Sequence, residues 1–422
     1  MSSSSKIKRI ALIVPLDDFG IQTYTYELAE GLAANGVEVD VYKPLDSKFL
    51  PSHLPMHHKV FPVLGSFLFR QTPPAGTMTG VAQAANAKVE SKNGGVPDSS
   101  PRSGWRTSKR FLNFRKWLLD LEVALHLRKK KYDVVWTQWH DVNGFHFWTI
   151  ASACGLPLAH TVHNVMPHEE TPEDFGIFNN IYQRSSALFV HSEFSRKELV
   201  TRFPNIDPSK IHHSWHGTYT AYRRVPQARE EFRRRWDVRE GQSVLLCAGG
   251  IRPYKNVEAV MRAVKMAGED VVLVVSGKES GFPNSTDSDP LRETRRLVEE
   301  LGMQGQVRLE PGFAGFEEFS GMLEAADILG LVYQMHYGSG ILCLGMTFGI
   351  HLLATRIGGS EEYLRDYPCH TMIESATPEL IASGISAAVK QLKETGYNRC
   401  SAPEYLGWNG IAAQALKALN GA

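Results

Sequence analysis

The sequence predicts an α/β protein built from two doubly wound parallel-sheet domains that face each other across a cleft. The chain has 422 residues. That length exceeds one ordinary core and suggests two domains at roughly 100–200 residues each. Apolar runs of strand length alternate with helical patterns, and the alternation occurs in two series of similar size. Such alternation favours parallel sheets with helices on both faces, which bind ligands at the carboxyl ends of their strands.

The first series, which we assign to a domain of residues 1–216, opens with a βαβ unit. An apolar run at residues 8–15 predicts a strand, and residues 23–35 repeat apolar side chains at helix spacing. Residues 37–42 predict the next strand. Further strands are expected at residues 133–137, 156–163, 187–191 and 210–215, and helices at residues 144–153 and 194–203.

The second series, assigned to a domain of residues 217–402, follows a charged segment at residues 216–242 that is typical of a linker. Its apolar runs predict strands at residues 244–248, 271–276, 307–310, 328–333 and 351–355. The intervening patterns predict helices at residues 256–267, 291–302, 316–326 and 341–348.

Two neighbouring stretches of the first domain break this alternation. Residues 71–108 are rich in Pro, Gly, Ser, Ala and Asn without any period, which predicts a mobile loop or a disordered insert. Residues 105–132 are strongly basic and carry aromatic and leucine side chains at helical spacing. This pattern fits either a core helix with a charged outer face or a helix at an anionic membrane surface.

Composition limits the partners and the compartment. Lys and Arg number 46 against 45 acidic residues, so we expect no nucleic-acid partner. The 5 cysteines are scattered without a CxxC pair, which indicates buried thiols in a reducing compartment rather than a disulfide frame or a zinc site. The N-terminal apolar run meets Asp17 and Asp18 without a small-residue cleavage site, so we expect a core strand and a cytoplasmic protein.

The clearest chemical signal is LLCAGGIRPYKNV at residues 245–257, which predicts a strand, a tight turn and a helix start. Gly249 and Gly250 let the backbone approach a ligand closely, and the helix N-terminus presents free N–H groups. Arg252 and Lys255 add positive charge at the same turn. These features favour a phosphate, whereas the alternative is a plain βα turn with a solvated cationic face.

Further motifs keep a fixed order along nearly the whole chain outside residues 71–130. Besides the glycine turn, they are FGIQTYTYELAEGLAANGVEV, LAHTVHNVMPHE, LFVHSEFSRKEL, HGTY, AADILGLVY, SGILCLGMTFG, ATRIGGSEEYL and WNGIAAQALKAL. In this order and spacing they resemble the GT-B glycosyltransferases, a large group of nucleotide-sugar-dependent enzymes with two Rossmann-like domains. The resemblance implies that residues 403–422 form a helix that crosses back onto the first domain.

The resemblance also implies a reaction. A hexose would move from a nucleoside diphosphate sugar to a hydroxyl group of a glycan or lipid-linked acceptor, in polysaccharide or glycolipid synthesis. The nucleotide sugar is then the donor substrate, and no cofactor is implied. If residues 105–132 bind anionic lipid, the enzyme would work at the inner face of a membrane. A catalytically silent GT-B partner protein and a nucleotide-sugar epimerase on the same fold are the alternatives.

The donor-binding residues implied by the resemblance surround two turns of the second domain. They are Gly250, Arg252, Lys255, Ser339, Gly340, Ile341 and Glu362. Arg252 and Lys255 would hold the diphosphate, and the backbone amides after Ser339 could bind phosphate in the same way. Glu362 takes a position where the family commonly has a carboxylate near the donor ribose or sugar, although a solvated helix start fits it equally well.

On the first domain, the resemblance places the sugar and the acceptor beside two loops. Gly20 follows the first strand, where the sugar or acceptor would approach the backbone. His163 ends a strand where the family has a histidine against the transferred sugar, and a structural hydrogen-bonding role is its alternative. His168 and Glu169 are candidates for the general base that deprotonates an acceptor hydroxyl. Competing carboxylates are Asp17, Asp18 and Asp141.

Departures from the family concern acidic residues. Many retaining members carry a Glu-x7-Glu pair across the turn that here contains no acid, HYGSGILCLGMTFG. The same spacing at Glu310 and Glu318 lies one βα unit too early. The turn instead looks like a branch of β-mannosyl or related polysaccharide transferases, which leaves the stereochemistry open and favours inversion of configuration. The DSD sequence at residues 287–289 sits in a polar loop typical of a turn, so we expect no metal site.

Overall fold

The computed structural model describes residues 7–15, 19–44, 57–64, 109–140, 146–167, 170–249, 252–277, 290–312, 314–334 and 337–421. Within these ranges the strands form two parallel sheets with helices packed against them. The predicted α/β class with two doubly wound sheets is therefore confirmed. The predicted insert at residues 71–108 lies outside the described residues.

Among the described residues, the first sheet has seven strands, all parallel. They are β1 (Arg9–Ile13), β2 (Glu38–Pro44), β3 (Lys59–Leu64), β4 (Val134–Thr137), β5 (Leu158–Val162), β6 (Ala187–Val190) and β7 (Ile211–His213). Their spatial order is β3-β2-β1-β4-β5-β6-β7. The order reverses between β1 and β4, and ligands of open α/β sheets bind at the carboxyl ends of the strands at such a point.

The helices described for the first domain are α1 (Phe19–Ala34), α2 (Lys109–Lys130), α3 (Phe147–Ala153), α4 (Asp174–Arg184) and α5 (Glu193–Arg202). On α1 the buried apolar residues Tyr24, Leu28 and Leu32 recur at helix spacing and face the sheet core. The helix α5 begins after Ser192, whose side chain accepts a hydrogen bond from the Ser195 N–H.

In the part of the second domain that the structure describes, the second sheet has six parallel strands. They are β8 (Ser243–Ala248), β9 (Val271–Gly277), β10 (Val307–Pro311), β11 (Ile328–Leu331), β12 (His351–Thr355) and β13 (His370–Ile373), in the order β10-β9-β8-β11-β12-β13. Leu245 and Leu246 are both fully buried on opposite faces of β8, as expected for a parallel strand covered on both sides. The order reverses between β8 and β11.

The remaining helices are α6 (Ala228–Arg235), α7 (Val257–Ala267), α8 (Pro290–Glu300), α9 (Phe316–Ala325), α10 (Gly340–Phe348), α11 (Ser360–Leu364), α12 (Pro378–Thr395) and α13 (Trp408–Gly421). The signals that bound α12 are typical. Thr377 caps its N-terminus, Pro378 is its first residue, and Gly396 ends it with a φ of 67°.

The charged segment predicted as a linker is packed into the second domain. Helix α6 lies against α9, and Phe232 and Trp236 are buried in the second core. From the same face of α6, Arg229 and Arg233 donate to the buried carboxylate of Asp327 at 2.6 and 2.8 Å. Two of the charged residues in this segment therefore pair with a buried carboxylate. The charge of the segment is part of the packing of the second domain and does not mark an extended linker.

The last helix, α13, lies against α1 of the first domain. Trp408 and Ile411 are buried in the same cluster as Tyr24 and Leu28. The chain therefore crosses between the sheets twice, once after β7 and once before α13. The two crossings are joined, because the Thr218 N–H donates to the Leu406 carbonyl at 3.0 Å and the Trp408 Nε1–H donates to the Thr218 carbonyl.

The expectation that no cysteine forms a disulfide is wrong for one pair. Cys369 and Cys400 are joined, with their Cα atoms 6.1 Å apart. They lie 31 residues apart in sequence, and the fold brings them together where Cys400 N–H donates to the Gly349 carbonyl at the end of α10. Cys154, Cys247 and Cys343 are free thiols. Among the described helices, none combines the length and apolar character needed to cross a membrane.

Candidate active site

The turn after β8 and the start of α10 touch each other. Gly249 has a φ of 87°, and a Cβ placed on it would lie 2.6 Å from Lys255 Nζ and 3.7 Å from the Ile341 side chain. The positive φ favours glycine at position 249, and a larger residue there would also displace the end of the lysine side chain. The predicted residues Lys255 and Ile341 thus meet at the point where the strand order of the second sheet reverses.

Lys255 reaches into this turn with its charged end. Its Nζ donates to the Ala248 carbonyl at 2.8 Å and lies 5.9 Å from the ring centre of Tyr333. Burial, with a smaller contribution from the charge of Arg252, lowers the pKa of Lys255 to about 8. A narrow cavity at the turn is lined by Gly249, Lys255 and Tyr333 among others. An anion in this place would stabilise the ammonium form.

The N-terminus of α10 presents backbone donors beside the lysine. Ser339 caps the helix by accepting from the Leu342 N–H at 3.3 Å. The N–H groups of Gly340 and Ile341 come before any partner the helix could supply, and none of the described residues accepts from them. Free donors and the positive end of the helix dipole suit a phosphate or another anion.

A set of aromatic and histidine side chains joins this turn to the first domain. A Cβ on Gly340 would lie 2.6 Å from the Tyr219 hydroxyl and 3.5 Å from His216 Nε2. The ring of His216 lies 5.0 Å from that of Tyr24, and Tyr24 in turn lies 4.7 Å from His163. A continuous series of contacts therefore connects Gly340, at the start of α10, with His163, which the sequence predicted to contact the sugar.

His163 is held in a neutral form. Burial, together with the neighbouring His191 and His216, lowers the pKa of His163 well below its usual value. Its Nδ1 lies 3.3 Å from His191 Nε2. Its Nε2 is buried and has no hydrogen-bond partner among the described residues. A buried polar nitrogen without a partner costs free energy, which a ligand that pairs with it would recover.

Glu362 makes a contact across the cleft that its sequence position did not indicate. Its two carboxylate oxygens accept from the backbone N–H groups of Glu193 and Phe194 at 2.8 and 3.0 Å, so a second-domain acid caps the first-domain helix α5. A donor contact by Glu362 stays a prediction. In this structure its carboxylate joins the two domains across the cleft.

Two tyrosines of the second domain make further contacts with the first domain. The Tyr363 hydroxyl donates to the His191 carbonyl at 2.9 Å and accepts from the His216 N–H at 2.8 Å. Tyr337 follows β11 of the second domain, yet its side chain is buried in the hydrophobic core of the first domain. The two domains are therefore in direct side-chain contact on one side of the cleft.

Several predicted residues cannot be placed. Gly250, His168 and Glu169 lie outside the described residues, as do the competing carboxylates Asp17, Asp18 and Asp141 and the DSD sequence at residues 287–289. Gly20 is exposed in the first turn of α1. Arg252 is half-buried directly before the short helical turn that carries Lys255.

The acid pair with family-like spacing has a structural role. Arg235 donates to Glu310 at 2.5 Å and to Glu318 at 3.2 Å. The Trp236 Nε1–H also donates to Glu310, at 2.7 Å. Both glutamates thus hold the segment around α6.

Sequence reasoning missed several residues of the site. Tyr24, His191 and His216 surround His163, and Glu27 accepts three hydrogen bonds from Thr220 and Ala221 where the chain first crosses between the sheets. Burial raises the pKa of Glu27 to about 7. The signal for His191 and His216 was present in the motifs LFVHSEF and HGTY, which place a histidine after a strand and in the crossing segment.

Comparison with known proteins identifies the family. The model for Glycosyltransferase Family 4 matches residues 20–222, and the model for Glycosyl transferases group 1 matches residues 228–399. The chain belongs to the group 1 glycosyltransferases of the GT-B fold. It is therefore an enzyme that transfers a glycosyl group from a nucleotide sugar, as the sequence predicted, and the silent-partner and epimerase alternatives are not favoured.

Individual relatives are distant. A D-inositol 3-phosphate glycosyltransferase of Nocardioides sp. is 23% identical over 283 residues, which are 60% of this chain and 60% of the relative. A D-inositol 3-phosphate glycosyltransferase of Xylanimonas cellulosilytica is 22% identical, covering 95% of this chain and 91% of the relative. The crystal structure of Anabaena Alr3699/HepE in complex with UDP and glucose superposes with a TM-score of 0.65 at 15% identity, covering 98% and 97% of the two chains. This likeness concerns the fold alone.

Proposed function

We propose that the protein is a metal-independent hexosyltransferase. It moves a hexose from a nucleoside diphosphate sugar to a hydroxyl group of a glycan or lipid-linked acceptor, with Arg252, Lys255 and the start of α10 holding the diphosphate. The observation that carries this proposal is the contact between Gly249, Lys255 and Ile341. It gathers a cation and free backbone donors at one point of the cleft, which is the combination that a diphosphate requires.

The proposed chemistry depends on charge that develops at the leaving group. As the glycosidic bond breaks, the nucleoside diphosphate gains negative charge. Fixed cations and helix N–H groups then stabilise the transition state more than the ground state. Lys255 suits this role because its pKa of about 8 leaves it mainly protonated near neutral pH. With cations supplied by the chain, a metal ion is not needed for this task.

The acceptor side of the proposal rests on His163 and on the loop after it. His163 offers its unpartnered nitrogen to the transferred sugar, and Glu169 or His168 removes the proton from the acceptor hydroxyl. D-Inositol 3-phosphate, named for two relatives, is a polyhydroxylated acceptor of the kind such a base would serve.

A screen of nucleotide sugars tests the reaction. The protein is incubated with UDP-, GDP-, ADP- and TDP-hexoses, and nucleotide release and binding are measured with and without EDTA. We expect one nucleotide to bind and its sugar to be hydrolysed slowly, at equal rates in both conditions. Loss of activity in EDTA that Mg²⁺ restores would reject metal independence. Failure of every nucleotide to bind at millimolar concentration would reject the donor site.

A second proposal concerns where the enzyme works: α2 would bind the anionic inner face of a membrane and bring a lipid-linked acceptor to the cleft. Phe114, Leu118 and Leu125 share one exposed stripe of α2, and Phe114 is 57% exposed. The opposite side is packed, because Val123 and Leu127 are buried in the first core. The helix thus has a core face and an exposed apolar stripe flanked by cations, which combines the two alternatives drawn from the sequence.

Vesicle co-sedimentation tests this second proposal. The cations of residues 105–132 are Arg106, Lys109, Arg110, Arg115, Lys116, Arg128, Lys129, Lys130 and Lys131. Each cation near an anionic surface contributes about 1 kcal/mol, and salt screens the attraction. We expect pelleting with anionic vesicles that falls with salt and with Lys129, Lys130 and Lys131 changed to Glu. Equal, negligible pelleting with anionic and neutral vesicles would favour a soluble acceptor.

A further inference from the structure

A hydrogen-bond chain with a fixed direction ends at His163. The carbonyl oxygen of Ser214 lies 2.8 Å from His191 Nδ1. A carbonyl can only accept, so His191 Nδ1 carries the hydrogen. Burial lowers the pKa of His191 to about 3, so its ring is neutral and its other nitrogen, Nε2, carries only a lone pair.

The direction of the first bond fixes the second. His191 Nε2 lies 3.3 Å from His163 Nδ1, and two ring nitrogens can share a hydrogen bond only if one of them donates. Because His191 Nε2 must accept, His163 Nδ1 must carry the hydrogen. A neutral His163 then has a lone pair on Nε2, and this is the buried atom that no described residue contacts by a hydrogen bond.

The neighbouring His216 obeys the same rule. Its Nδ1 lies 3.1 Å from the Gly217 carbonyl and therefore donates, and its Nε2 lies 3.3 Å from the Tyr219 hydroxyl, which donates to it. Unlike that of His163, the acceptor nitrogen of His216 is already paired. Among these three histidines, His163 alone has an unpaired acceptor nitrogen. The hydrogen bonds from Ser214 through His191 to His163 therefore determine that this nitrogen is Nε2.

We propose that His191 is a positioning residue that holds His163 in its Nδ1–H tautomer, so that Nε2 accepts a hydrogen from a hydroxyl group of the bound sugar. The inference rests on the proposed contact between His163 and the transferred sugar. It adds the chemical class of the group contacted. That group must donate a hydrogen, so a hydroxyl fits, whereas the carboxylate of a uronic acid would meet a lone pair.

The tautomer can be observed directly. In protein labelled with ¹⁵N-histidine, long-range ¹H–¹⁵N spectra distinguish a protonated from an unprotonated ring nitrogen, and the His163→Gln variant assigns the signals of His163. We expect Nδ1–H in the wild type. In His191→Phe, which keeps a ring but has no acceptor, we expect a shift toward Nε2–H. In His191→Gln, which keeps an acceptor oxygen, Nδ1–H should persist. His212→Gln, a change on β7 outside this chain of bonds, should have no effect.

Kinetics and donor analogues separate the two levels of the inference. We expect His191→Phe to lower kcat about tenfold, as for one lost hydrogen bond, with nucleoside diphosphate affinity unchanged and His191→Gln close to wild type. An Nε2–H tautomer in the wild type, or an unchanged tautomer in His191→Phe, overturns the role of His191. If the tautomer shifts as expected but neither His191→Phe nor His163→Gln slows transfer, the contact of His163 with the sugar is overturned, while the bond chain stands.

Discussion

Two helix N-termini face the same cleft and are used in different ways. The first turn of α5 receives the Glu362 carboxylate of the opposite domain on its Glu193 and Phe194 N–H groups. The first turn of α10 keeps its Gly340 and Ile341 donors open among the described residues. Each helix begins with a serine cap, Ser192 or Ser339. What separates them is therefore the presence of an internal anion.

The difference shows that similar helix N-termini can serve two purposes in one fold, contact between the domains or ligand binding. A helix N-terminus attracts an anion through its dipole and its unsatisfied N–H groups. When a carboxylate of the protein supplies that anion, the result is a contact that closes the cleft. When the site is left open beside Lys255, the result is a place for the donor phosphates. The following predictions probe this contrast.

The largest effect is expected at the open site. Lys255→Ala should lower kcat/KM by an amount equivalent to about 2–4 kcal/mol, because a preorganised cation would no longer face the leaving diphosphate. Lys265→Ala is a matched control, since Lys265 also donates to a backbone carbonyl, that of Leu301, but lies exposed on α7. Steady-state kinetics check both variants. Values for Lys255→Ala within twofold of wild type would remove Lys255 from the donor site.

The open site should also depend on pH. Burial lowers the pKa of Lys255 to about 8, so the free protein loses this charge as pH rises through that value. The diphosphate favours the protonated form, so its binding takes up a proton above the pKa. We expect nucleoside diphosphate affinity measured by calorimetry to fall as pH rises above about 8. The fall should be absent in Lys255→Met; an equal fall in both proteins would assign it to another group.

At the closed site, Glu362→Gln should loosen the contact between the domains. The amide can still accept a hydrogen bond, but the charge that favours the α5 dipole is lost, at a cost of about 1 kcal/mol. Amide hydrogen exchange at Glu193 and Phe194 should become faster. Glu361→Gln serves as control, because Glu361 is exposed and pairs with Arg356 of its own domain. Unchanged exchange in Glu362→Gln would mean that the carboxylate does not hold the cleft closed in solution.

The smallest effect compares the two serine caps directly. Ser192→Ala and Ser339→Ala each remove a side-chain acceptor from a helix start, and each should lower the free energy of unfolding by about 1 kcal/mol. Only Ser339→Ala should also weaken nucleotide binding, by about twofold to fivefold, because α10 alone faces the donor. Chemical denaturation and calorimetry measure the two quantities. Equal loss of nucleotide affinity in both variants would show that α10 does not differ from α5 in donor binding.

The sequence was most informative where structure follows local order. Donor binding by Gly249, Lys255 and Ile341 stays a prediction. The strand, turn and helix starts that carry them could be predicted because their geometry is set within a few residues. The role of Glu362 could not, because its partners on α5 lie more than 160 positions away and depend on how two domains meet. Cys369 and Cys400 were misjudged because their pairing depends on the fold of the second domain, which brings together two residues 31 positions apart.

Buried charge was the second limit. Residues 216–242 were predicted to be a charged linker, because composition does not show that the buried Asp327 binds Arg229 and Arg233. His191 likewise gave a weak signal, since a histidine after a strand acquires a role only from its neighbours. Both cases depend on tertiary partners, which periodicity does not encode.

The paired crossings beside Trp408 restrict how the cleft can open. Thr218 in the first crossing is bonded to Leu406 and Trp408 in the second, so both connections between the domains pass through one small region. Because both connections lie in one region, one domain can rotate about that region relative to the other. A sliding motion of the domains would break both connections. An opening of the cleft would therefore be a rotation about the region of Thr218, and it would have to break the contacts made by Glu362 and Tyr337.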